Sequence, residues 1–315
     1  MTQAEIREII LSPRQVVSPQ ANKPVMGIVQ DTLLGCMKMT FRDTFLAKDL
    51  TYNTLMNLES WDGHVPIPAI LKPAQLWTGK QVFSKLLPRG INLQQTSNNH
   101  PDQEDGVMSA GDTLVRIEQG EIVQGIIDKR TVGSSQGSLI HVTWVEYGPM
   151  VCAKLFTEIQ KVVNHWLLHN GFSIGIGDGI ASGRTLLEIE KTIKNAKREV
   201  SNIIRKARSG KLERTPGRTI VETFEQQVNE VLNKATNSAG KSVKNQLKYS
   251  NNVNAMVSAG SKGSSINICQ IIACVRNKQH TATVHDYQSY IRYIQLAPHL
   301  CSTVSCVSLG GPTKR

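Results

Sequence analysis

The sequence predicts an α+β fold: a mixed domain of short strands and helices, followed by a helical domain built on an antiparallel helix hairpin. Residues 1–150 are punctuated by Pro and Gly, with apolar runs too short for long helices. From Val151 the apolar residues recur at i, i+3, i+4 and i+7, the spacing of one helix face. Residues 185–235 carry two long stretches of that kind separated by a short polar break, which reads as two helices folded back on each other.

The elements follow in chain order. Ser18–Pro24 contains Pro19, Asn22 and Pro24. Proline lacks the N–H and bars the residue before it from helical backbone, so this segment is an extended, turning loop. Val25–Asp31 resumes an apolar pattern, and Thr32–Met39 reads as a short helix. Thr78 with Gln81 forms a capping box that opens a helix with Val82, Phe83, Leu86 and Leu87 on its face. Asn92–Gly111 is polar and is expected to be a mobile loop. Thr113–Glu118 and Glu121–Ile127, joined at Gln119-Gly120, read as a hairpin. Ser138–Tyr147 alternates and is β-branched, which predicts a further strand.

Leu155, Phe156, Ile159, Val162, Val163, Trp166 and Leu167 define an amphipathic helix that stops near Asn170-Gly171, and Gly175–Gly179 is a turn. Thr185 with Glu188 is expected to cap the clearest helix, whose stripe runs from Leu186 through Ile189, Ala196 and Ile203 to Ala207. Its other faces carry Lys191, Lys194, Lys197, Arg198, Arg205 and Lys206. Ser209–Arg218 breaks it, and Thr219 with Glu222 caps the partner helix, with Phe224, Val228, Val231, Leu232 and Ala235 on its face. Gly240 is expected to end or interrupt that helix. Ile266–Val275 is uniformly apolar and predicts a third, buried helix.

The chain has 36 Lys and Arg against 25 Asp and Glu, a formal net charge of +11. That surplus favours polyanionic partners: nucleic acid, nucleotides or an acidic membrane face. No apolar run reaches the roughly 18 residues that a membrane span needs, and the first residues lack a signal-peptide core. Six cysteines scattered over 315 residues do not form a disulfide framework, which favours a reducing compartment.

Several motifs invite a chemical reading. Ala235–Ser242 fits the loosest phosphate-cradling loop, yet such a loop follows a buried strand and this one follows a helical pattern. His165 and His169 have the i, i+4 spacing of two metal ligands, without the intervening Glu of a zincin or a third ligand. Cys269/Cys274 and Cys301/Cys306 are spaced wider than structural zinc pairs. The glycines of Gly175–Gly179 are misplaced for a dinucleotide fingerprint. Val257–Ser264 sets Gly260, Lys262 and Gly263 before an apolar helix, which can bring backbone N–H groups and an ammonium to a phosphate, or be a plain loop.

Longer stretches carry a resemblance: Pro13–Leu33, Trp61–Gly63, Pro68–Pro73, Leu76–Gln81, Val151–Phe156, Gly175–Asp178 and Ser258–Ser264, the last reading Ser-Ala-Gly-Ser-Lys-Gly-Ser. They resemble the largest subunit of eukaryotic DNA-directed RNA polymerase II, with a fungal character. The match runs from about Thr2 to Val275. It implies a pore domain over residues 1–181, a funnel domain over 182–275 and an unmatched tail over 276–315. These domains surround the channel through which nucleoside triphosphates enter and backtracked RNA leaves.

By that resemblance Lys262 reaches the triphosphate of the incoming nucleotide, and Asn22, Lys23, Gln30 and Asp31 line the pore near the RNA 3′ end. The resemblance also implies as partners the other polymerase subunits, DNA template and RNA, nucleoside triphosphates and elongation factors at the funnel, in the nucleus. The family's aspartate motif that holds catalytic Mg²⁺ does not occur in this sequence, so no catalytic or metal-binding residue is expected here and the isolated chain is expected to be inactive. After Val275 the sequence departs from the family, as a frame error, retained intron or partial gene would make it. The alternative reading is a non-enzymatic truncated relative that binds nucleic acid or a transcription factor.

Overall fold

A computed structural model describes residues 1–101, 109–248 and 250–272. The chain divides into two compact units, Met1–Ser173 with Ala255–Lys262, and Ile174–Asn254 with the chain from Gly263 onward.

The first unit begins with α1 (Thr2–Glu5), a π-turn at Ile6–Ile10 and a 3-10 turn at Ser12–Gln15. Strand β1 (Val17–Ser18) pairs antiparallel with β2 (Lys23–Pro24) around the turn that Pro19 and Asn22 demand. Helix α2 (Gln30–Met39) buries Leu33, Leu34, Cys36, Met37 and Met39. Strand β3 (Phe45–Ala47) leads into α3 (Lys48–Leu55) and pairs antiparallel with β4 (Leu76–Thr78). Helix α4 (Gly79–Ser84) opens with both bonds of the capping box expected at Thr78 and Gln81. A Cβ on Gly79 would fall 1.9 Å from the Met39 carbonyl oxygen, so only glycine admits this approach of α4 to α2.

Strands β5 (Leu93–Thr96), β6 (Leu114–Glu118) and β7 (Glu121–Gln124) form one antiparallel sheet in the order β5-β6-β7. The β6–β7 hairpin is the one expected, and Gln119 and Gly120 take φ of 51° and 80°, the two positive values of a tight hairpin turn. Strand β5 corrects the expectation of a loop over Asn92–Gly111, of which 102–108 lie outside the described residues. Polar Gln94, Gln95 and Thr96 hide a strand that exists because β6 offers it an edge.

Next come α5 (Lys129–Val132), α6 (Leu139–Tyr147) and α7 (Pro149–Asn170). Helix α6 corrects the strand expected over Ser138–Tyr147. Ser138 caps it, accepting from the His141 N–H, and Leu139, Ile140 and Thr143 are buried. Their spacing is helical, and packing on α7 overrides the β propensity of the segment. Helix α7 ends at Asn170, with Gly171 at φ 69°. The core of this unit joins Leu33, Met39, Leu46, Leu55, Phe83, Ile91, Ile117, Ile127, Leu139 and Ile159, all wholly buried. Each such side chain contributes about 1.5–3 kcal/mol by leaving water.

The second unit contains a 3-10 turn at Ile176–Gly179, then α8 (Gly183–Arg208) and α9 (Ile220–Gln246). The two helices are antiparallel: Thr185 at the start of α8 hydrogen-bonds Gln246 at the end of α9, and Gln246 Nε2 donates to Glu188 Oε2 at 2.8 Å. The cap of α8 is Ser182, one turn earlier than the box expected at Thr185 and Glu188, whose carboxylate serves Gln246 instead. The box at Thr219 and Glu222 is present.

Helix α9 runs straight through Gly240, which neither ends nor interrupts it. Helix α10 (Asn252–Ala259), not foreseen in the sequence, leads through a turn to α11 (Ser265–Ile272). Helix α11 is buried on one face only, through Ile268, Cys269 and Ile272, while Ile266 and Ile271 are exposed. Cys274, the Cys301/Cys306 pair and the tail 276–315 lie outside the described residues.

Candidate functional site

The turn that carries Lys262 is built by two glycines. Gly260 ends α10 at φ 73° and Gly263 follows at φ 79°, a backbone that β-carbon-bearing residues resist. The Ser261 N–H and hydroxyl both return to the Met256 carbonyl at 3.1 Å, which closes the turn. The turn is seated as well as closed. A Cβ on Gly260 would lie 2.9 Å from Lys129 Cβ and 3.5 Å from Asn98 Nδ2, so the bare backbone rests on the lysine stem. Lys262 is exposed, and neither it nor Lys129 forms an ion pair among the described residues.

Helix α5 receives this turn and is itself fixed from below. Asp128, 2% exposed, caps it by accepting from the Arg130 and Thr131 N–H groups at 3.0 and 3.3 Å, and also accepts from the Asn98 N–H at 2.5 Å. Burial pushes the Asp128 carboxyl above its ordinary range, against those three backbone bonds and the nearby Arg130 charge. Arg130 donates through Nη1 to Thr96 Oγ1 at 2.9 Å. The buried carboxylate thus ties the loop after β5 to the helix that presents Lys129 and Arg130.

The other candidate residues lie on two neighbouring segments. Asn22, at φ 48°, closes the β1–β2 turn, and Lys23 begins β2; both are exposed. Gln30, at φ 53°, is the first residue of α2, with Asp31 next to it, and both are exposed. Positive φ at a glutamine is a strained backbone held by its surroundings. Those surroundings are again α5: the Ile28 N–H donates to the Val132 carbonyl at 2.9 Å, and a Cβ on Gly27 would strike Gly133 at 2.7 Å.

Helix α2 also packs through Leu34 and Met37 on Ala255 and Ala259 of α10, the helix that ends at Lys262. The structure therefore brings the Gln30-Asp31 segment and the Lys262 turn onto a common support. Asn22 and Lys23 sit apart on the hairpin tip. Lys129 and Arg130 join the site without being expected from the sequence. Asp128 directly before them is a helix-start signal. The helix it opens has only four residues, too few for an apolar period to reveal it.

The remaining motifs fall to structure. Ala235–Ser242 is interior to α9, where the backbone N–H groups are spent within the helix and none can cradle phosphate. His165 and His169 meet edge to face at 5.1 Å between ring centroids. Among the described residues no three His, Cys, Asp or Glu side chains converge as metal ligands. Lys262, Lys129 and Arg130 bring no side-chain oxygen, only cationic nitrogens, which are not ligands for Mg²⁺, and no step assigned to them runs through such an ion.

Two family profiles match the chain: the one described as RNA polymerase Rpb1, domain 3, over residues 15–179, and the one described as RNA polymerase Rpb1, domain 4, over residues 203–275. Together with the α+β scaffold they define the class, a subunit of DNA-directed RNA polymerase, the nucleotidyltransferase of transcription. The chain belongs to the Rpb1 domain 3 family and is part of the polymerase's largest subunit; other polymerase subunits, DNA and RNA are the partners this membership implies.

Proposed function

We propose that this chain lines the secondary channel of RNA polymerase II, with Lys262 on the triphosphate of the incoming nucleotide and Lys129 and Arg130 extending the same phosphate-facing surface. The observation that carries this reading is the seating of the Gly260 turn on the Lys129 stem. It gathers exposed cations from two distant stretches of sequence, and Lys262 and Lys129 form no ion pair among the described residues. An ammonium on a glycine-bordered turn suits a phosphate as a point charge that the substrate can reach closely.

The segment at Gln30 and Asp31 positions the RNA 3′ end, and Asn22 and Lys23 line the pore beside it. The net charge of +11 draws triphosphates toward the channel. The α8–α9 hairpin is the funnel part that elongation factors meet, and the polymerase works in the nucleus. Bond-making belongs to Mg²⁺ held by aspartates of another part of the subunit, so this chain alone incorporates no nucleotide. The long stretches shared with the eukaryotic largest subunit, Pro13–Leu33 above all, support the assignment to RNA polymerase II and its fungal character.

Steady-state incorporation by the assembled polymerase tests the role of Lys262. A charge-assisted contact of about 1.5–3 kcal/mol predicts that Lys262→Ala raises KM for nucleoside triphosphate by roughly ten- to a hundredfold. Lys262→Arg recovers part of the loss. An unchanged KM in the alanine variant rejects the contact.

A further inference from the structure

We infer that Thr215, at the tip of the α8–α9 hairpin, is an acceptor for a proline-directed protein kinase. The connection begins where α8 ends in a left-handed cap: Gly210 sits at φ 67°, and the Lys211 N–H reaches back to the Lys206 carbonyl at 3.0 Å. Residues 211–215 then run without helix or strand pairing. At Thr215 the chain enters a turn in which the Arg218 N–H donates to the Thr215 carbonyl at 3.1 Å. Pro216 occupies the second position and Gly217 the third, at φ 78°, the pattern of a type II turn. Such a turn keeps its proline extended, and residues 211–215 carry no helix or strand that would have to come apart for a kinase cleft to take the segment.

The acceptor is ordered and its hydroxyl is open. The Thr215 N–H donates to Thr223 Oγ1 at 3.2 Å, which holds the backbone against the first turn of α9, and the side chain is half-exposed. Its hydroxyl has no hydrogen-bond partner among the described residues. The chain has three Ser-Pro or Thr-Pro pairs, at Ser12, Ser18 and Thr215. Ser12 opens a 3-10 turn and Ser18 is paired in β1, so both are held in regular structure. Only Thr215 has a basic residue three positions on, Arg218, where cyclin-dependent kinases read a positive charge; Gln15 and Ala21 stand there in the other two.

The product state is also prepared. Arg214 and Arg218 flank the acceptor, and both act on the Glu222 carboxylate in the first turn of α9. In the transfer the γ-phosphoryl group passes from ATP to Thr215 Oγ1. The bond from Pγ to the ADP oxygen breaks, the Oγ1–P bond forms, and the hydroxyl proton goes to the kinase's carboxylate base. Arg214 and Arg218, one residue before and three after the acceptor, are the guanidiniums that the new dianion would draw from their present partners, the Arg218 carbonyl and Gln226 Oε1.

Incubation of the 315-residue chain with a purified cyclin-dependent kinase and γ-labelled ATP, followed by peptide mapping, tests the inference. Label on Thr215, its loss in Thr215→Val, slower labelling in Pro216→Ala, which removes the proline the kinase reads, and labelling slowed about tenfold in Arg218→Ala, as loss of one charge-assisted contact predicts, are the expected results. Label confined to Ser12 or Ser18, no label on the folded chain, or labelling of Thr215 indifferent to both substitutions overturns it. Phosphorus NMR of the product reads the pairing: the phosphate titrates below its usual value of about 6 and moves back toward it in Arg214→Ala. A midpoint at the usual value contradicts the guanidinium cradle.

Discussion

At the scale of single residues, Asp128 shows how a buried charge positions exposed ones. Its carboxylate takes three backbone N–H groups and caps α5, so Asp128→Ala costs the roughly 0.5–2 kcal/mol of a lost N-cap. Chemical denaturation of the chain measures it. Burial holds the folded carboxyl above its ordinary value of 3.8. Between that value and the raised one the folded state therefore holds more protons than the unfolded, and stability from this group falls as pH rises through the interval. Asp128→Asn removes that decline, visible as a flatter pH dependence of the urea midpoint. The turn that carries Lys262 is legible in the sequence because two glycines frame it. Lys129 is not, because nothing local says that a turn from far along the chain will settle on its stem.

Secondary elements are legible where the signal is local. The β6–β7 hairpin is fixed by Gln119-Gly120, and α9 by the reciprocal bonds of Thr219 and Glu222. Thr219→Ala loses about 1 kcal/mol, read as a lower unfolding midpoint of the hairpin unit. Elements set by neighbours mislead: α6 looks like a strand until α7 is there to bury Leu139, Ile140 and Thr143, and β5 looks like a loop until β6 lends it an edge. Gly240 is instructive for the same reason. Taken alone it should weaken α9, and Gly240→Ala should add about 1 kcal/mol of helix propensity.

The structure reverses the sign of that substitution. A Cβ there would lie 2.9 Å from Cys269 Sγ and 3.2 Å from Cys269 Cβ, so α11 would be pushed off α9. Overpacking of this kind costs about 1–3 kcal/mol and outweighs the propensity gain. Gly240→Ala is therefore destabilising in thermal unfolding. Gly240→Ala combined with Cys269→Ala recovers part of the loss, because the sulfur contact is removed while the one to the residue 269 Cβ stays.

On the scale of the whole molecule, the chain exposes apolar side chains that a finished surface would cover. Val25 at 64% and Val29 at 62% flank the candidate pore residues, and Ile6, Ile9 and Ile10 are 50–62% exposed near the N-terminus. Patches of this kind mark interfaces, in keeping with a part of a large subunit that meets other polymerase subunits. A tagged chain expressed in its own cells is expected to bring those subunits down with it. The central claim is that the turn at Lys262 meets the entering nucleotide. It is tested most directly by placing a photoreactive phenylalanine at Ser261 in the assembled polymerase and illuminating it with a radiolabelled nucleoside triphosphate. The account predicts label at residue 261 that excess unlabelled nucleotide suppresses, and none from the same probe at exposed Leu71. Absence of label at 261, or equal label at both positions, would contradict it.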